Sequence, residues 1–322
     1  MAPAISPKPR EEIRVPQPRQ LNFGERIAKI IVGTTLAPIY WALAHAWSVP
    51  GLDYQLRCAA LGLRLLMSRR SRECLRWSFD LMFRPLDSTR YFEHSFVWDV
   101  LHPLRSEVRY LDVSSPRLVP IILLAHNAGL SCNMINPDRI DLEESRQLVS
   151  LLGLSDRCRL HGSMVSNAPF GAREFDLITC VSVLEHIHKD RQGLTDMWRL
   201  LDSGGRLILT VPCKARASEQ WIDKDIYGLQ EPDARGFVFW QRFYDDDLLQ
   251  KSVFSVTGEP VRIAVYGEKR RGTMFENTMR KRRDSFYPYW AEPVFMGQEF
   301  TKWPSVSSLP GEGVVAMEFV KR

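Results

Sequence analysis

The sequence predicts an α/β fold built on a doubly wound, mostly parallel sheet, and three observations predict it. From Tyr110 to Val211 short apolar runs alternate with helix-forming stretches, the pattern of parallel strands joined by crossover helices. Most of these runs end in a small polar cluster, where such sheets carry their ligand-facing residues. A chain of 322 residues with 45% apolar and 25% charged residues can bury a core of that size.

In chain order, residues 1–20 are proline-rich and read as a disordered tail without the apolar block of a secretory signal. Ile30 to Leu52 carries no charge apart from His45 and is long enough to cross a bilayer, but Gly33, Pro38, Pro50 and Gly51 interrupt it. A buried helix, an interfacial helix and a spanning helix all stay open. Between Tyr54 and Arg84 a basic stripe of Arg57, Arg64, Arg72 and Arg76 lies opposite an apolar one, predicting an amphipathic helix or helix pair, and 84–93 reads as a closing turn. Residues 21–90 are therefore an N-terminal helical region, with peripheral membrane contact as one use for it.

Strands are expected at 108–113, 130–135, 157–161, 175–181 and 205–211, with helices at 116–127, 142–152 and 190–201. Two further strands, 254–266 and 313–320, bring the sheet to seven. The core sheet at 108–213 thus sits within one domain of residues 91–322, with loop-like insertions at about 214–244 and 268–311. The six cysteines show no metal-ligand spacing and read as reduced core residues, and a cytoplasmic location follows as the default. A net charge of +5, spread along the chain, gives no argument by itself for nucleic acid.

Four strand ends carry the chemistry: Asp112-Val113-Ser114-Ser115-Pro116, Asn136-Pro137-Asp138, Gly162-Ser163, and Ser182-Val183-Leu184-Glu185-His186. Together with APFGAREFDLITCVSVLEHI at 168–187 and LLDSGGRLILTVPC at 200–213, they resemble the class I S-adenosylmethionine-dependent methyltransferases, in particular the group that methylates small molecules and glycans. The resemblance covers Tyr110 to Cys213. It implies a Rossmann-like sheet, S-adenosylmethionine as cofactor, and cofactor contacts from Asp112, Ser114, Ser115, Asn136, Asp138, Gly162, Ser163, Ser182 and Leu184, with no metal.

The chain departs from the family where glycines normally follow the first strand: Ser114, Ser115 and Pro116 stand there, and Asn136 and Ser163 replace the usual acids. Glycine serves that turn because it adopts left-handed backbone and lets the cofactor approach. For a hydroxyl acceptor a base near neutral pKa is needed, and His186 or His188 is the sequence's candidate, with Glu185 read as structural. The aromatic and polar segment 221–244 suits a small-molecule or saccharide acceptor. Two other functions compete: a catalytically inactive methyltransferase-like binding or scaffold protein, supported by the lost glycines, and a nucleic-acid methyltransferase or binder using the Arg280-Lys281-Arg282-Arg283 run.

Overall fold

The computed structural model describes residues 9–68, 72–102, 104, 107–228 and 230–322. The first eight residues of the expected tail lie outside this range. Within it, the chain runs β1 (Arg10–Ile13), α1 (Phe23–Ala46), α2 (Leu52–Ser68), α3 (Arg72–Phe83) and α4 (Arg90–Leu101) before the sheet begins. Then follow β2 (Arg109–Val113), α5 (Leu118–His126), β3 (Ser131–Ile135), α6 (Arg139–Leu151), β4 (Cys158–His161), β5 (Phe175–Val181), α7 (Asp190–Leu200) and β6 (Leu201–Cys213). The remainder comprises β7 (Ser218–Ile222), β8 (Val238–Phe243), α8 (Asp246–Leu248), α9 (Ser255–Thr257), β9 (Arg262–Glu268), α10 (Thr273–Arg283), α11 (Glu292–Glu299), β10 (Phe300–Trp303) and β11 (Gly313–Val320).

The main sheet has eight strands in the order β10-β9-β11-β6-β5-β2-β3-β4. From β6 to β4 every pairing is parallel, and β11, β9 and β10 add antiparallel neighbours at the other edge. The eighth strand, β10, lies in the stretch after 268 that showed no strand pattern, because it is four residues long and pairs only with β9.

Period-2 alternation sends neighbouring side chains to opposite faces. Leu177 and Val181 join one apolar cluster with the N-terminal helices, whereas Ile178 and Cys180 join the other with α7. All six cysteines are buried and unbridged.

Four local expectations change. The tail is not wholly irregular: Arg10 to Ile13 pairs in parallel with β7, which pairs antiparallel with β8, so the insertion read as loop-like at 214–244 contains two strands of a three-stranded sheet. The turn at 84–93 is shorter than expected, since α4 starts at Arg90 and buries Tyr91, Phe92, Glu93 and His94. Phe254 to Thr257 is helical, not extended. It continues the helical stretch that begins at Asp246, where Asp245 caps α8 by accepting from the Leu248 amide, and Gly258, with φ of 75°, ends the stretch. Finally, the Arg-Lys-Arg-Arg run is the last turn of α10, where cations meet the negative end of the helix dipole.

Candidate active site

The carboxyl ends of β2 and β5 lie side by side, and each is followed by a serine in left-handed backbone: Ser114 with φ of 50° and Ser182 with φ of 49°. For a residue with a Cβ this conformation costs roughly 1–2 kcal/mol. The turn that glycine would favour is therefore made without it. Both hydroxyls after β2 are used internally. Ser114 Oγ donates to the Ile135 carbonyl at 3.0 Å, and Ser115 Oγ accepts from the Val181 amide at 3.0 Å. Ser115 does not cap α5, whose capping position is Arg117.

Asp112 is fully buried. It accepts from Thr179 Oγ1 at 2.6 Å and from the Ser115 amide at 3.1 Å, and burial raises its pKa to about 7 against those hydrogen bonds. Its side chain shapes the turn from below. Asn136 is likewise committed, donating to Asp141 at 2.7 Å and accepting from the Asp138 amide at 2.9 Å. Asp138 caps α6 by accepting from the Ile140 and Asp141 amides. Leu184 is buried in the core, and Gly162 is exposed beside Leu142.

Three features remain open to a ligand along this edge. Ser163 Oγ, after β4, is a buried hydroxyl with no hydrogen-bond partner. Glu185 Oε2, after β5, is a buried carboxyl oxygen with none. At the start of α5 the Val119 amide donates to the Pro116 carbonyl at 2.8 Å, the Ile121 amide faces the Arg117 carbonyl at 3.4 Å and Pro120 has no amide hydrogen, which leaves the Leu118 amide without a backbone partner among the described residues. A hydroxyl after β4, the Leu118 amide after β2 and the strained turns beside them fit an extended nucleoside bearing an amino-acid carboxylate. The residues present thus fit S-adenosylmethionine, with Ser163 and the Leu118 amide free to meet it where Ser115 and Asn136 are committed to internal hydrogen bonds.

Beside this edge is a cavity of about 400 Å³. Ser182, Glu185 and His186 form one wall, Asp87 to Arg90 leading into α4 another, Trp240 and Gln241 of β8 a third, and Met274, Lys281 and Arg282 of α10 the fourth. Sequence reasoning missed the second wall, whereas the fourth lies in the 268–311 insertion and carries Lys281 and Arg282 of the basic run. Glu93 ties α4 to the sheet: one oxygen accepts from Ser182 Oγ and, at 2.6 Å, from Thr210 Oγ1, and the other accepts from Arg90 at 2.8 Å and Thr89 at 3.2 Å. On the far side, Arg242 pairs with Asp190 at 2.7 Å and donates to the His188 carbonyl at 2.7 Å, anchoring β8 to the turn after β5.

Two of the titratable groups that face the cavity follow β5. His186 Nδ1 donates to the Trp240 carbonyl at 2.6 Å, and its ring meets Trp240 and Tyr227 edge-on, those two being stacked on each other. Burial lowers its pKa to about 4, so the ring is neutral near pH 7, with Nε2 as an acceptor. Glu185 moves the other way: burial, with Glu93 adding, pushes its pKa up to about 8. His188 lies outside the lining, exposed, with its ring against Phe239.

The chain is similar to known methyltransferases. Residues 119–209 match the profile described as a methyltransferase domain. A sarcosine/dimethylglycine N-methyltransferase of Aphanothece halophytica is 22% identical over 125 residues, 39% of this chain and 45% of that protein. The chain thus matches less than half the length of that relative. Among solved structures, a geranyl diphosphate methyltransferase in complex with SAM aligns over 72% of this chain and 85% of its own at 11% identity and a TM-score of 0.47. The geranyl diphosphate C-methyltransferase of Streptomyces coelicolor aligns over 80% and 86% at 11% identity and a TM-score of 0.47.

Proposed function

We propose that this chain, whose core is a methyltransferase domain of the class I S-adenosylmethionine-dependent group, transfers a methyl group to a hydroxyl of a small polar acceptor held in the cavity beside β5. The observation that carries this reading is Glu185, a buried carboxyl with one bare oxygen and a pKa near neutrality, on the wall between the cofactor edge and the cavity.

The cofactor supplies an activated methyl on a sulfonium, so the protein's work is alignment and removal of one proton. The Leu118 amide at the start of α5 and the Ser163 hydroxyl would hold the cofactor. The stacked Tyr227 and Trp240 offer a face to a polar ring such as a sugar. Arg282 is half-buried at the rim with no hydrogen-bond or ion-pair partner among the described residues, and it favours an acceptor with an anionic group. The Glu185 carboxylate then accepts the hydroxyl proton as the new C–O bond forms and the C–S bond breaks.

His186 is the acceptor-side hydrogen-bond partner in this scheme, because a pKa of about 4 makes it a weaker base than Glu185. His188→Ala is expected to leave thermal stability within about 0.5 kcal/mol of the parent and to leave turnover unchanged. A marked loss of turnover with intact folding would return the base to that loop.

A second reading, a binding protein that no longer transfers methyl groups, is favoured by the internal commitment of Ser115 and Asn136. Incubation with methyl-labelled cofactor and fractionated small-molecule extracts separates the two. Label should move into a small product, faster as pH rises through about 8. Cofactor binding with no transfer into any fraction supports the binding protein.

A further inference from the structure

Helix α1 spends 24 residues, about 36 Å of helix, on a surface it scarcely buries. Its buried residues are the small Gly33, Ala37 and Ala44. Its outer side shows Phe23 at 80% exposure, Ile31 at 59% and Ile39 at 55%, with Ile27, Ile30, Val32 and Leu43 also exposed. From Ile30 to Trp47 this face carries no carboxylate and no lysine or arginine. Contiguous exposed apolar surface on this scale marks an interaction site.

The surroundings say which partner it fits. At the N-terminal end Arg26 is exposed, and Lys29 donates to the Ser285 carbonyl at 2.8 Å, which brings the basic end of α10 alongside. Arg26, Arg280 and Arg283 have no carboxylate partner among the described residues. At the other end Trp47, half exposed, supplies an amphipathic ring. An apolar face with unpaired cations at one end and tryptophan at the other matches an anionic bilayer, whose surface attracts each cation and whose acyl boundary takes the apolar face.

By length and composition α1 is also able to span a membrane, but its packing opposes this. Gly33 sits against Tyr289 and Trp290 with no room for a side chain, Trp41 stacks on Phe83 with ring centroids 6.0 Å apart, and Val49 beyond the helix packs on Gly297. Spanning would tear these contacts away. We propose that α1 is an in-plane docking helix that seats the protein on anionic lipid, independently of the chemistry at the cavity.

The test is flotation of the full chain with phosphatidylcholine vesicles and with vesicles in which about a third of the lipid is phosphatidylglycerol. The protein should float with the anionic vesicles, with a blue shift of tryptophan emission, and release in high salt. Ile31→Glu with Ile39→Glu should lower the partition coefficient about a hundredfold, since each removes an apolar contact worth roughly a factor of ten. Both positions are exposed, so the variant's thermal melt should match the parent. No flotation with anionic vesicles, or flotation that the double variant leaves intact, overturns the proposal. So does a concentration-dependent dimer that the same variant disperses, because a second copy would then cover the face.

Discussion

Glu185→Gln is expected to lower turnover about 100-fold, the smaller end of what a positioned base contributes, while cofactor affinity stays unchanged. The base acts only when deprotonated, and its pKa is raised to about 8 by burial. Parent activity should therefore rise with pH through about 8 and level off above it, and the glutamine variant should lose that rise. Stability carries the opposite sign. The folded state holds the Glu185 proton up to about pH 8, whereas the unfolded chain releases it near the ordinary carboxylate value. Folding stability from this group is thus full below the unfolded value and lost as pH climbs towards 8. Glutamine cannot ionise, so the variant should melt higher than the parent at pH 8.5 or so and closer to it in acid. A variant with full turnover and a parental pH profile would remove Glu185 from the chemistry.

Glu93→Ala is the largest expected structural effect. The carboxylate is wholly buried and serves Arg90, Thr89, Ser182 and Thr210 together. Removing it leaves a guanidinium and three hydroxyls without their acceptor, and breaking a buried pair from one side costs about 3–5 kcal/mol. Urea unfolding should show that loss, with Glu93→Gln intermediate because it keeps the volume and one acceptor oxygen. The strained Ser182 turn is held through the same contact, so the cofactor edge should loosen with the fold. A loss under about 1 kcal/mol would mean that water replaces Glu93 and that α4 is not the clamp described.

The sheet was legible because each strand from 108 to 211 is a compact apolar run next to its own helix, so local pattern and global fold agree. What escaped was assembled from distant parts. Residues 10–13 become a strand only because β7, more than 200 positions later, offers an edge, and nothing local distinguishes them from tail. In 84–93 the turn residues hid the start of α4, whose burial of Glu93 depends on Ser182 and Thr210 across the core.

At the site, the strand-end positions were readable and their roles less so. Serine after β2 signalled a lost turn, yet Ser114 keeps the left-handed backbone and its hydroxyl satisfies β3 instead. In the proposed scheme the adjacent Glu185 and His186 exchange expected roles because burial shifts an acid up and an imidazole down, and that burial comes from distant neighbours such as Trp240 of β8 and Arg90. A residue's letter carries its ordinary pKa; its surroundings decide which way it moves.

The central claim is that the edge from β2 to β5 holds S-adenosylmethionine although its glycines are gone. Calorimetric titration of the full chain with S-adenosylhomocysteine tests it most directly. The account predicts saturable one-site binding, retained in Glu185→Gln and weakened in Ser163→Ala, whose hydroxyl is the unpartnered group at the β4 end. Absence of binding by a chain with a cooperative melt would contradict it.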